Sequence, residues 1–230
     1  MKKILITQSN YIPWKGYFDS INTVDEFVLY DDMQYTKRDW RNRNKIKTAG
    51  GAQWLSIPVE VKGKYFQKIA ETKISDKAWA KDHWATIKHS YAKAPFFKEY
   101  KDFFEDLYLN CHEELLSHIN YRFLKAIMDL LKISTPMRWS NEFELRGDKS
   151  EKLLGICEDE GVTDYFSGPA AKDYLDTALF NSKNVTVNWF DYSGYPEYEQ
   201  LFPPFDHAVS IIDVIFNTGA DIKLYMKSFS

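Results

Sequence analysis

Two hydrophobic patterns alternate along the chain. Short apolar runs at 3–7 (KILIT), 26–32 (EFVLYDD), 53–60 (QWLSIPVE), 163–168 (TDYFSG) and 185–192 (VTVNWFDY) predict strands. Between the first two, Pro13 interrupts the chain and GYFDSIN at 16–22 supplies a short helix. Strand, short helix and strand predict parallel pairing, because a helical crossover returns the chain in its original direction. QWLSIPVE is the third strand on this reading.

From Ser75 the apolar spacing becomes helical. Residues 75–94 (SDKAWAKDHWATIKHSYAKA) predict a helix with Ser75 as N-cap and Pro95 as its stop. Residues 96–110 and 112–132 predict two more, and ISTPMRWS at 133–140 restores an extended pattern. Further helices are predicted at 148–162 and 207–219. Strand and helix recurring at both ends predict an α/β fold with a Rossmann-like parallel sheet, flanking helices and a central helical insertion. Residues 1–230 are expected to form one domain, with 75–132 as a helical layer or subdomain within it. In such folds ligands sit beyond the carboxyl ends of the parallel strands, so the strand tips supply the candidate site.

Composition narrows the classes. With 30 Lys+Arg against 33 Asp+Glu, the formal charge is −3, which gives no general pull toward nucleic acid. Anion recognition must be local. The apolar run after Met1 breaks at Thr7 and Gln8, too early for a signal peptide or membrane anchor, and no other window approaches a transmembrane segment; a cytoplasmic location is expected. Two cysteines, Cys111 and Cys157, are too few for a disulfide scaffold or a thiolate-rich metal site.

At the first tip, QSNYIPWKGYF places Gln8 and Asn10 beside the rings of Tyr11, Trp14 and Tyr17. Gly16, just before a helix, would let a ligand reach free backbone amides, although an ordinary turn with Trp14 covering the core fits the same residues. No GxGxxG follows the strand, so a dinucleotide fold of the dehydrogenase kind is disfavoured. The second tip offers Asp31 and Asp32, then Gln34; one carboxylate faces the cleft as a general base or a metal ligand, or caps the loop. Arg41 and Arg43 flank Asn42 and share a face if the segment is extended, where their planar forks match phosphate oxygens. Later in the chain, Ser167 and Gly168 precede a helix that Pro169 can start, and Ser210 and Asp213 lie three apart in an apolar helix.

Metal chemistry finds little support, and no metal is expected. His83 and His89 are six residues apart, roughly 240° around a helix axis, as are His112 and His118, and HEELL lacks the second histidine of HExxH. His83 is read either as an acid–base imidazole near Trp79 or as a satisfied core histidine. Cys111 and His112 are adjacent and cannot face each other on a helix, and no GxSxG elbow occurs.

Taken in order, TQSNYIPWKGYFDSINTVDEFVLYDDMQY, RNRNKI, SIPV, AWAKDHWATIKHSYAKAPFF, YFSG and SIIDVIFNTG resemble the WbqC-like family of bacterial proteins over nearly the whole chain. Gln8, Tyr11, Pro13, Gly16, Tyr17, Asp31, Asp32, Asn42, Arg43, Tyr91, Pro95, Ser210, Asp213 and Asn217 fit the family pattern, whereas Thr7 and Ser9 replace the His and Pro of a common His-Gln-Pro opening. The resemblance implies a transferase that adds an acyl or aminoacyl (glycine-like) group to an amino sugar in surface-polysaccharide (O-antigen, lipopolysaccharide) biosynthesis. Its partners would be a nucleotide- or lipid-linked amino sugar and an acyl donor such as CoA, a carrier protein or an activated amino acid, with no tightly bound cofactor. Asp32 or His83 would take the amine proton, Gln8 and the amides near Gly16 would hold the oxyanion, and Arg41 and Arg43 would grip phosphates. Gln8, Asp31 or Asp32, Arg43 and the Ser167 loop are then expected to converge on one pocket. The alternatives are a nucleotidyltransferase of the same pathway, disfavoured by the missing HxGH-like pair, and a non-catalytic sugar- or carrier-binding protein.

Overall fold

A computed structural model describes residues 1–229. Five parallel strands form the central sheet: β1 (Lys3–Thr7), β2 (Glu26–Leu29), β5 (Met137–Trp139), β6 (Asp164–Ser167) and β7 (Thr186–Trp189), in the spatial order β5-β2-β1-β6-β7. β1 is central, pairing with β2 through Thr7↔Leu29 and with β6 through Leu5↔Phe166. Its branched residues Ile4, Leu5 and Ile6 are buried on both faces, as a strand with helices above and below requires. The order reverses at β1: the chain builds one half of the sheet outward through β2 and β5, then crosses to β6 and β7. That switch point opens a crevice beyond the carboxyl end of β1.

The Rossmann-like expectation holds, with one strand reassigned. QWLSIPVE does not enter the central sheet. Its first residues form β4 (Gly51–Ser56), antiparallel to β3 (Arg43–Thr48) in a separate hairpin. Ala49 and Gly50 make the tight turn, with Gly51 at φ +104°. The third parallel position belongs to β5, from the ISTPMRWS segment.

Helix α1 (Lys15–Asn22) crosses from β1 to β2 and is buried on nearly every side. Helices α2 (Trp79–Tyr91), α3 (Phe97–Leu109) and α4 (Leu116–Leu131) occupy the predicted helical insertion, and Trp79, Tyr108 and Phe123 pack into the same apolar core as Leu5, Phe18 and Phe27. Ser75 is not the N-cap of α2. Its amide donates to the Pro58 carbonyl, Asp76 takes the Ala78 amide, and the helix begins at Trp79. Helix α5 (Lys149–Asp159) and a short helix unforeseen in the sequence, α6 (Thr177–Ser182), cover the other face of the sheet, against Ile4, Ile6, Val28 and Tyr165. Helix α7 (Ile211–Thr218) starts after Ser210 rather than at His207.

Candidate functional site

The cavity of interest lies beyond the carboxyl end of β1. It holds about 490 Å³ and is lined by Asn10, Pro13, Trp14, Trp40, Asn44, Tyr192, Ser193, Gly194, Tyr195, His207 and Ala208. One wall is the turn after β1, and the facing wall is the loop after β7. The turn is tied down on every side. Tyr11 donates its amide to the Trp40 carbonyl, Asn44 on β3 donates its side-chain amide to the Tyr11 and Ile12 carbonyls (3.1 and 2.9 Å), and the first amide of α7, from Ile211, reaches the Pro13 carbonyl. These ties hold Ile12 at φ +36°, a left-handed conformation that a β-branched residue adopts only where its surroundings impose it.

Trp14 forms the floor, its ring meeting Tyr192 and Tyr195 edge-on at centroid distances of 5.4 and 5.2 Å. Gly16 makes that placement possible. A Cβ there would fall 2.3 Å from the Trp14 ring, so the missing side chain accommodates the indole and not a ligand. The opposite wall is anchored on α1. Buried Asp19 accepts from the Tyr195 hydroxyl (2.7 Å) and from the amides of Lys227 and Ser228, while Lys15 donates to the Pro196 carbonyl (2.7 Å) and lies over the rings of Tyr195, Tyr198 and Tyr225. Burial pushes the Lys15 ammonium down to about 8, against the opposing pull of Asp19 and Glu197.

The two asparagines of the cavity differ in what they leave free. Asn44 has both ends engaged, since its oxygen also accepts the Lys45 amide (2.8 Å). Asn10 is bound only through its oxygen, by the Arg41 guanidinium. Arginine carries no acceptor, so that oxygen must face it and the Asn10 NH₂ is left to donate. His207, packed against Phe205, has its imidazole lowered from the ordinary value by partial burial and by the nearby Lys15 charge. It is therefore neutral at neutral pH and able to accept a proton.

The expected convergence of Gln8, an aspartate, Arg43 and the Ser167 loop does not occur, as none of them lines this cavity. Gln8 uses its backbone carbonyl to accept the Tyr17 hydroxyl (2.9 Å), and among the described residues its side chain has no hydrogen-bond partner. Asp31 is buried at the β2 tip, where Oδ1 takes the Ser9 amide (2.8 Å) and Oδ2 has no partner; burial raises its carboxyl above the usual range, against that bond. Asp32 has both oxygens engaged, by Lys68 (2.9 Å) and Ser140 (2.8 Å). Partial burial raises its carboxyl, but those two bonds outweigh it and hold the group below its ordinary value. His83 lies in the core. Its Nε2 sits 3.2 Å from the Ser56 carbonyl, which can only accept, so Nε2 carries the hydrogen and Nδ1 accepts from the Tyr11 hydroxyl (2.9 Å). Burial pushes this imidazole down to about 4.

Tyr11 and Tyr91 are likewise core residues, with no accessible surface. Tyr91 donates to Asp213 (2.7 Å), which also takes the Tyr198 hydroxyl and the Gln200 amide. Ser210 does not touch that carboxylate with its side chain; it caps α7 by accepting the Ile212 amide. Asn42 and Gln34 bond backbone carbonyls, of Ile57 and Tyr65. Ser167 is buried at the end of β6, and Gly168 stands behind the cavity wall, where a Cβ would lie 3.7 Å from the Tyr192 hydroxyl. Arg41 and Arg43 part company: Arg41 turns in to Asn10, and Arg43 lies on the outer face of the hairpin over Trp54.

Of the sequence-derived residues, the cavity thus gathers Asn10 and Trp14, with Arg41 directly behind. Tyr192, Tyr195 and His207 line it too and carry no functional signal in the sequence. Trp40 and Asn44 stood in the same charged, aromatic stretch as Arg41, which was the available signal; the loop after β7 offered none. Among the described residues no helix is long and apolar enough to cross a membrane, and no three His, Cys, Asp or Glu side chains gather as metal ligands would.

A family model described as the WbqC-like protein family matches residues 8–224. A protein of Mycobacterium tuberculosis carrying the name Uncharacterized protein Rv1507c is 49% identical over 227 residues, which covers 99% of this chain and 98% of that one. No solved structure matches. The turn after β1, the hairpin that braces it and the α7 helix that closes over it all fall within the matched stretch, and the chain belongs to the WbqC-like protein family.

Proposed function

We propose that the protein is a transferase that passes an acyl or aminoacyl group to the amine of a nucleotide- or lipid-linked amino sugar, in the surface-polysaccharide pathways with which its family is associated. The observation that carries this reading is the pairing, in one aromatic-walled cavity, of a neutral imidazole with an amide whose hydrogens are directed away from a guanidinium. Trp14 and the more exposed Tyr192 line the cavity and give a sugar ring an aromatic surface. The sugar amine attacks the acyl carbonyl, a C–N bond forms as the bond to the donor's leaving group breaks, and the amine nitrogen must lose a proton. His207 accepts that proton and returns it to the leaving group. The Asn10 NH₂, polarised by Arg41, donates to the oxygen that becomes negative in the tetrahedral intermediate. No covalent enzyme intermediate is needed, which agrees with the burial of Cys157 and the upward push of the Cys111 thiol to about 12 by burial.

Mass spectrometry tests the reading. Nucleotide-linked amino sugars incubated with the protein and either acyl thioesters or activated amino acids are expected to gain the mass of the acyl group, and His207→Ala is expected to suppress the gain. Binding of sugar without product from any donor would favour the non-catalytic binding protein instead.

A further inference from the structure

Just outside the cavity, the hairpin presents cations and indoles that serve no core. Arg43 and Lys45 are two apart on β3 and so share a face, and Lys45 stands directly opposite Trp54 on β4. The Arg43 guanidinium lies 4.0 Å from the Trp54 ring centroid and the Lys45 ammonium 5.4 Å. Trp54 in turn meets Trp40 at 5.3 Å, and the two indoles are 39% and 40% exposed. The hairpin's inner face already supplies its share of core through Ile46 and Leu55. Among the described residues neither Arg43 nor Lys45 has a carboxylate within ion-pair distance; the guanidinium donates only to the Arg38 carbonyl. Lys37 and Arg38 add to a local positive excess in a chain whose net charge is −3. Trp40 joins this patch to the cavity, because it lines both.

We propose that the outer face of the β3–β4 hairpin is the binding site for the nucleoside diphosphate of a nucleotide-linked sugar, with the base against the Trp40–Trp54 pair and the two phosphates on Arg43 and Lys45. This inference rests on the transferase reading for the sugar that the diphosphate carries into the cavity. Planar rings roofed by cations suit a flat, polar base and its doubly charged diphosphate. A polyisoprenyl carrier would instead need a run of aliphatic surface, and the exposed neighbours of Trp54 on β4 are Ala52, Gln53 and Ser56.

Tryptophan fluorescence and calorimetric titration of the full chain with UDP, dTDP, GDP and CDP, and with inorganic pyrophosphate, test the proposal. At least one nucleoside diphosphate is expected to bind ten-fold or more tightly than pyrophosphate. Trp54→Ala and the double variant Arg43→Ala/Lys45→Ala should each weaken it ten-fold or more with circular dichroism and thermal midpoint unchanged, and Trp54→Phe should restore part of the loss. Absence of binding by all four nucleotides, equal binding of pyrophosphate, indifference to the hairpin variants, or preferential co-sedimentation with vesicles carrying a polyisoprenyl diphosphate would overturn it. The two readings fail separately: hairpin-dependent nucleotide binding without any acylated product removes the transferase reaction alone, whereas acyl transfer insensitive to the hairpin variants removes the nucleotide site alone.

Discussion

Asn44 and Asn10 stand on opposite sides of one turn, and the two regions they belong to use polar groups in opposite ways. On the inner side, three networks match their donors and acceptors within the chain: Asn44 braces the Ile12 turn, His83 links Tyr11 to the Ser56 carbonyl, and Asp213 gathers two tyrosines and a glutamine. On the cavity side, Asn10 is fixed at one end and free at the other, and His207 is held at the rim with its proton site available. Matched polar groups make a rigid frame, and half-matched ones make a place where a substrate can complete the pattern. A buried imidazole or carboxylate is therefore a poor guide to chemistry until its partners are counted.

The largest effect should come from breaking the inner network. Asp213→Ala leaves the Tyr91 and Tyr198 hydroxyls and the Gln200 amide without their buried acceptor, and is expected to cost about 3 kcal/mol or more in denaturant unfolding. A cost below about 1 kcal/mol would mean the network relaxes onto water.

An intermediate effect is expected where the two regions meet. Asn44→Ala removes two of the bonds that hold Ile12 in its left-handed conformation, costing about 1–2 kcal/mol. Because the same turn carries Asn10 and Trp14, sugar-nucleotide binding should weaken along with stability. An unchanged affinity in calorimetric titration would separate the turn from the site.

The third effect is a pH dependence under the outer wall, confined to alkaline solution. Below about pH 8 Lys15 is protonated in both folded and unfolded chains, and its burial penalty is fully present. Between about 8 and the ordinary 10.5 the unfolded chain keeps a proton that the folded chain has lost, so stability rises with pH in that window. Lys15→Met lacks this term. The difference in unfolding free energy, wild type minus variant, should be flat below pH 8 and rise above it; a flat line throughout would place the ammonium in contact with water.

Much of the frame was legible because its signals are local. KILIT and EFVL are continuous branched runs, which only a strand buried on both faces requires, and the order of elements fixed the parallel pairing. The hairpin was missed because RNKIKT does not alternate cleanly. Asn44 is buried on its inner face, satisfied by the Tyr11 and Ile12 carbonyls, and Lys47 is buried on the face it shares with Arg43 and Lys45, its ammonium donating to the Pro204 carbonyl, so polarity no longer marks the solvent side. Tyr11 and Tyr91 looked like site residues since a tyrosine with a buried hydroxyl partner and one facing a ligand read identically in a sequence. The outer wall was illegible for a different reason: Tyr192, Tyr195 and His207 reach the β1 turn through contacts spanning most of the chain, such as Lys15 to Pro196 and Ile211 to Pro13, and carry no periodicity.

The account's central claim is that the reaction takes place in the cavity and not at the β2 tip. The most direct measurement is the single-turnover rate of acyl transfer, by mass spectrometry, in His207→Ala and Asp32→Asn side by side, both at saturating substrate. The cavity account predicts a loss of about 100-fold or more for His207→Ala, the scale of a general base, and a rate within a few-fold of wild type for Asp32→Asn. Full activity in His207→Ala together with loss in Asp32→Asn would contradict it.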